Sequence, residues 1–239
     1  MLPFVVFMIF LGVESNFPDR HYQFYPFKAA AVAAALVYYW RALPTLRPVA
    51  PLVSIVVGVA GIAIWVGLDP WALKGNVLLE EGFNRAVSAV GLTSWQTAVD
   101  GTIPAGRNPF ELYSAGEAWT LFVFRVLGIS LCVPIMEELF WRGFLMRWLI
   151  RDDFTSVPLG QYQPFSFWVT TMLFALEHGS EWLLGLIVGT IYGAWFLRTK
   201  SLGSVMLAHG VTNFLLALYC LASNDWHFLS ALSPSTNPR

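Results

Sequence analysis

The stretch Glu137-Glu138-Leu139-Phe140-Trp141-Arg142 sets two adjacent carboxylates and a guanidinium inside a segment otherwise fit for lipid. Charge is expensive in hydrocarbon, so such groups face a protein interior or a watery cavity and mark function by default. Around this stretch, Trp119 to Trp141 is apolar apart from Arg125 and the Glu pair, and the same helix is expected to run on through Phe144 to Ile150. Pro134 lies three residues before Glu137. It removes a backbone hydrogen bond and is expected to kink that helix. Further along, His178 follows Phe174 by four residues, and His209 precedes Asn213 by four. Three helix-like segments thus each carry groups that lipid rejects. Together they describe one buried polar site built by several membrane helices.

Composition agrees with a membrane setting. Of 239 residues, 56% are hydrophobic and only 12% charged, with a mean hydropathy of +0.60. Soluble domains are about a quarter charged, so the chain reads as a polytopic membrane protein. A net charge of -1 gives no support for nucleic-acid binding. Cys132 and Cys220 each sit in an apolar run and read as inert buried thiols. No spacing of Cys and His matches a structural zinc domain. The many Trp and Phe residues suit interface anchoring and helix packing.

A membrane span needs about 20 apolar residues. Candidates are Leu2 to Val13, Phe24 to Trp40, Val49 to Leu68, the Trp119 segment, Phe165 to His178, Trp182 to Leu197 and Leu202 to Ala222. The fold class is therefore all-α, a polytopic bundle of about seven transmembrane helices (six to eight) enclosing an intramembrane polar cavity. Asp69 to Gly116 is the one extended polar region, and Val77 to Val90 within it has the amphipathic character of a surface-lying helix. Gly185, Gly189 and Gly193 form a ladder at four-residue spacing, which reads as a packing face. Three regions follow: residues 1–115 with N-terminal helices and the polar segment, 116–223 as the membrane core that carries the buried polar groups, and 224–239 as a tail. Arg41 with Arg47, Arg147 with Arg151, and Arg198 with Lys200 place three loops on the cytoplasmic side.

The polar residues allow a definite chemistry. On a helix, residues four apart share a face, so Arg142 can hold Glu138 ionised and oriented. Glu137 is turned by about 100° and is left freer to act. A carboxylate in an apolar pocket is a competent general base near neutral pH. His209 and Asn213 project together and can donate hydrogen bonds to an oxyanion. Alternatively, Glu137, His178 and His209 can ligate a zinc ion that activates water. A metal-free route is favoured, because a carboxamide one turn after His209 is a poor zinc ligand and a good oxyanion donor. Glu177 and Glu181 flank His178 and read as solvated or interfacial carboxylates at a helix end. Serine and cysteine nucleophiles lack a GxSxG elbow or a paired imidazole.

The three motifs Glu137-Glu138-x-x-x-Arg142, Phe174-x-x-x-His178 and His209-x-x-x-Asn213 together resemble, in order, those of the CPBP family of CAAX-processing and bacteriocin-processing intramembrane proteases, also called the ABI family. The resemblance covers roughly Trp119 to Ala222. It implies an all-helical membrane endopeptidase with its catalytic cavity inside the bilayer. It further implies that Glu137 activates water with help from His178, that Glu138 and Arg142 orient the site, and that His209 with Asn213 stabilises the tetrahedral oxyanion. The residues around the first two motifs look like the bacterial subgroup associated with exosortase sorting systems, which implies a multi-pass protein of the bacterial inner membrane and an exosortase-system partner. Glu177, beside His178, departs from the small or apolar residue common in the family.

The function expected is thus hydrolysis of a peptide bond in a membrane-tethered protein or peptide, within the lipid bilayer. Two other classes compete. A non-catalytic immunity or scaffold protein has no physical need for every one of these polar groups. A small proton-coupled transporter would be expected to show internal repeats or paired broken helices, and neither is found.

Overall fold

A chain that crosses hydrocarbon must satisfy its backbone N–H and C=O groups internally, and the helix does so within one segment. The computed structural model, which describes residues 2–14, 16–17, 20–89, 91 and 106–230, follows that rule. Its elements are helices, with no strand among the described residues.

The first two, α1 (Leu2–Glu14) and α2 (His21–Tyr38), pack against each other. Next comes α3, Pro51–Ala89, and then a short α4, Pro109–Leu112. One continuous rod follows, built from α5 (Ala115–Leu127), a π turn at Gly128–Cys132, α6 (Val133–Phe140), a second π turn at Trp141–Leu145, and α7 (Met146–Trp148). The last part comprises α8 (Pro164–Glu177), α9 (Trp182–Thr199), α10 (Leu202–Ser223) and a short α11 (His227–Ser230).

Among the described residues, four helices are long and apolar enough to cross a membrane: Pro51–Pro70, Ala115–Trp148, Trp182–Thr199 and Leu202–Ser223. This is an integral membrane protein of all-α fold. The other three expected spans exist as α1, α2 and α8, but α1 has 13 residues and α8 has 14. At 1.5 Å per residue each reaches only about 20 Å, against a hydrocarbon core of about 30 Å. Exposed Leu52 and Val56 on α3, Val123 and Leu127 on α5, and Leu131 in the first π turn give the bundle an apolar exterior.

Two local expectations change. Val77 onward is helical, but it continues the α3 span through Pro70 to Ala89 instead of standing apart as a separate helix. Val90 and residues 92–105 of the polar region lie outside the described residues. Pro134 does disturb the rod, and the disturbance takes the form of the π turn at Gly128–Cys132 just before it. Pro134 leaves Ser130 C=O without its usual donor four residues on, and Gly210 of α10 packs close against that carbonyl.

The centre of the bundle is α10, which packs against α3, α6, α9 and the first π turn. Small residues set these close approaches. A Cβ at Gly58 would stand 2.5 Å from the Ala208 carbonyl oxygen. In the α9 ladder, a Cβ at Gly189 would stand 2.7 Å from Cδ1 of Phe174, a ring clamped in the core. Gly189→Ala should therefore cost about 1–3 kcal/mol through overpacking. Gly116→Ala, where nothing lies within 4 Å, should be neutral. Thermal unfolding of the two variants beside the wild type checks this.

The two ends of the bundle differ. At one end, Val49 N–H donates to Ser204 Oγ and Ser201 Oγ donates to Arg47 C=O, so the loops carrying Arg47 and Lys200 meet. At the other, Trp65 Nε1 donates to Glu181 Oε2 at 3.0 Å and Trp182 Nε1 donates to Asn76 Oδ1 at 2.8 Å. Residues 224–230 return onto that end, where Trp226, Phe228 and Leu229 are buried.

Candidate active site

The rod places Glu138 and Arg142 one turn apart, and the pair closes as the spacing requires, with Nη1 donating to Oε1 at 3.0 Å. Their side chains are 0% and 1% exposed. The guanidinium also donates to the Gly189 carbonyl at 3.2 Å and lies 4.5 Å from the Phe174 ring centroid. The missing side chain of Gly189 thus admits the Phe174 ring, while the carbonyl of the same residue receives the arginine.

Glu138 has a second partner. Nδ1 of His209 lies 3.0 Å from the same Oε1. His209 is thereby tied to the ion pair on a different helix, a link that spacing alone does not reveal. Glu137, one residue away, is buried but faces the cavity, and its Oε2 has no hydrogen-bond partner.

A cavity of ≈ 120 Å³ is lined by Glu137, His178, His209 and Asn213, together with Glu177 and Tyr192. The structure therefore brings four of the six sequence-derived site residues to one wall. Glu138 and Arg142 stand behind them.

Hydrogen bonding fixes what each imidazole presents. His178 caps α8 with Nδ1 2.8 Å from the Phe174 carbonyl oxygen, which can only accept. Nδ1 therefore carries the proton, and neutral His178 presents Nε2 as a lone pair. The same logic applies to His209. With Glu138 ionised against Arg142, Nδ1 of His209 donates, and Nε2 becomes a donor only when the ring carries a second proton. Asn213 gives one amide N–H to the Ile129 carbonyl in the first π turn at 2.8 Å, and one N–H remains.

Aromatic rings hold these groups. The Phe174 ring lies 4.7 Å from that of His178 and 6.1 Å from that of His209. Trp65 stands 5.3 Å from His178, and Tyr192 stands 5.3 Å from His209. The Tyr192 hydroxyl donates to Thr212 Oγ1, which donates to the Gly58 carbonyl, so α3 takes part in positioning His209.

Three points follow. First, His209 and Asn213 share a face and both line the cavity, while each also holds a separate partner, Glu138 for Nδ1 of His209 and the Ile129 carbonyl for one Asn213 N–H. Second, Glu177 and Glu181 are not solvated. Both Glu177 oxygens are buried without hydrogen-bond partners, and Glu181 is buried on Trp65. Third, the zinc set Glu137, His178 and His209 is not gathered within 4.8 Å, whereas Asp69, Glu181 and His227 are. The three motif residues as placed do not fit a shared ion.

Trp65, Tyr192 and Thr212 escaped sequence reading because nothing in their local pattern separates a site residue from ordinary helix packing. Glu177 did carry a signal, being a carboxylate in a position the CPBP pattern leaves apolar.

Comparison with known proteins agrees with this geometry. Residues 119–215 match the family described as Rce1-like, type II CAAX prenyl endopeptidase Rce1-like. No curated protein and no solved structure matches the chain. The matched segment runs from α5 to α10 and holds all three motifs, so over residues 119–215 the chain is similar to the Rce1-like type II CAAX prenyl endopeptidases, a likeness that agrees with the CPBP resemblance of its motifs.

Proposed function

We propose that this protein is an intramembrane endopeptidase that hydrolyses a peptide bond of a membrane-tethered protein or peptide. The observation that carries the reading is the shared cavity: an unpartnered buried carboxylate oxygen of Glu137 and the two imidazoles line one space, with the Asn213 amide beside them.

In this mechanism Glu137 takes a proton from a water molecule while Nε2 of His178 accepts the water's other hydrogen bond. The hydroxide formed attacks the scissile carbonyl. The remaining Asn213 N–H, and Nε2 of His209 when that ring is doubly protonated, face the developing oxyanion. Glu137 then returns its proton to the departing amine. Glu138 and Arg142 do not touch substrate. They hold His209 in place. The steps use only groups of the chain itself.

The protein sits as a multi-pass protein of the bacterial inner membrane, with the end carrying Arg47, Arg147 and Lys200 toward the cytoplasm. The exosortase-associated subgroup is a finer proposal that rests on the residues around the first two motifs.

The test is cleavage of internally quenched peptides by the purified protein in lipid nanodiscs, with each peptide presented free or attached to a prenyl or acyl chain. Tethered peptides should be cleaved at least about 10-fold faster, because the tether raises their concentration at the bilayer. A well-folded protein that cleaves no tethered peptide would instead be a non-catalytic member of the fold.

A further inference from the structure

A second cluster lies beside the cavity and takes no part in the mechanism above. Asp69 near the end of the α3 span, Glu181 in the turn before α9, and His227 of α11 each bring one ligand atom within 4.8 Å of the others. These residues come from three distant parts of the chain and meet at one end of the bundle. Glu181 also lines the cavity wall.

Three features mark the cluster as a built site. His227 is nine-tenths buried, with 10% of its side chain exposed, and its Nε2 stands 3.3 Å from Asp69 Oδ2. At that distance the two face each other as an ion pair, without the geometry of a hydrogen bond. On the other side of the ring, Nδ1 meets Asp225 Oδ1 at 2.5 Å, which orients the imidazole and turns Nε2 toward the two carboxylates. Glu181 is held in turn by the Trp65 indole at 3.0 Å. Metal-bound histidines commonly show this pattern, with the far nitrogen fixed by a carboxylate.

The spacing also suits an ion. Two ligands about 2.0–2.1 Å from a tetrahedral zinc lie about 3.3–3.4 Å apart. This is the observed separation of Nε2 and Asp69 Oδ2, two atoms that are close without forming a hydrogen bond. One imidazole and two carboxylates suit zinc and similar transition metals, whereas calcium and magnesium prefer all-oxygen shells.

We propose that Asp69, Glu181 and His227 bind one divalent transition-metal ion, zinc being the best match, beside the cavity that Glu181 lines. The fourth position is left to water. The ion ties the end of the α3 span, the α8–α9 turn and α11 into one frame beside the cavity. Its role is structural, and its binding does not depend on whether the cavity is proteolytic.

The experiment uses the full chain in nanodiscs with an affinity tag free of histidine, stripped by chelator and titrated with zinc chloride. Metal content after desalting is read by mass spectrometry, and affinity by calorimetry. One zinc per chain is expected, with thermal unfolding raised by about 5 °C or more on binding. Asp69→Asn and His227→Gln should each weaken binding by at least about 100-fold. Asp225→Asn keeps all three ligands and should weaken it by about 10–100-fold, so a graded loss there separates ligation from failure to fold. Glu137→Gln and His209→Ala should keep the zinc. Zinc lost with His209→Ala but kept in His227→Gln would overturn the assignment and place the ion in the catalytic cavity. Absence of stoichiometric zinc would overturn it too, leaving a protonated His227 shared between Asp69 and Asp225.

Discussion

Glu137→Gln should reduce cleavage of a tethered peptide by about 10²–10⁴-fold, the contribution expected of a general base, while yield and thermal stability stay close to wild type. The amide keeps the shape of the side chain but cannot take the proton of water. The structure makes the stability half of this expectation specific. Oε2 of Glu137 is buried with no hydrogen-bond partner, so the substitution breaks no such bond to that oxygen. Glu177→Gln is the matched control, because its carboxyl is also buried without hydrogen-bond partners and lines the same cavity. It should retain most activity. If Glu177→Gln is the inactive variant and Glu137→Gln turns over normally, the base is Glu177 and the order of roles along the cavity reverses.

The second large effect concerns stability. Removing either member of the Glu138–Arg142 pair strands a buried charge, which typically costs about 3–5 kcal/mol. The two losses should not be equal. After Arg142→Ala, Glu138 still has His209 at 3.0 Å, and that imidazole can take a second proton to become the counter-charge. After Glu138→Ala, the fully buried guanidinium loses its contacting carboxylate and keeps the Gly189 carbonyl and the Phe174 ring face. Glu138→Ala should therefore be the more destabilising, and it should also release His209 and abolish turnover. The double variant should be less damaging than the sum of the singles, since it leaves no charge behind. Denaturation of all three in the same lipid decides this. Equal losses, or a larger loss for Arg142→Ala, would show that His209 does not share the charge of Glu138.

Much of the site was legible in the sequence because lipid makes polar residues conspicuous. Glu137, Glu138, Arg142, His178, His209 and Asn213 stood out against apolar runs, and the four-residue interval correctly paired Glu138 with Arg142. Periodicity gives the face of a helix and not its partner across the bundle. The bond from His209 to Glu138 and the bond from Asn213 to Ile129 therefore stayed hidden. Burial of Glu177 and Glu181 was misjudged for a related reason: a carboxylate at a helix end is solvated unless another element covers it. Here Trp65 of α3 supplies that cover for Glu181. The Asp69, Glu181 and His227 cluster was out of reach altogether, since its members are separated by more than a hundred residues at one step and have no motif in common. Continuation of α3 through Pro70 likewise ran against the local break that a proline and a polar composition announce.

The two π turns at Gly128–Cys132 and Trp141–Leu145 bracket the Glu pair. Each such turn behaves as a one-residue insertion absorbed by the helix. The rod therefore has three angular settings along its length. The stretch bearing the carboxylates has its own dial position, independent of the two flanking stretches that meet lipid and loops. Deleting a single residue from the first turn would restore a plain α-helix there and swing Glu137 and Glu138 by about 100°, away from His178 and His209, without altering one side chain of the active site. Length variation within these turns is thus a means of retuning or dismantling the proposed site that substitution does not offer.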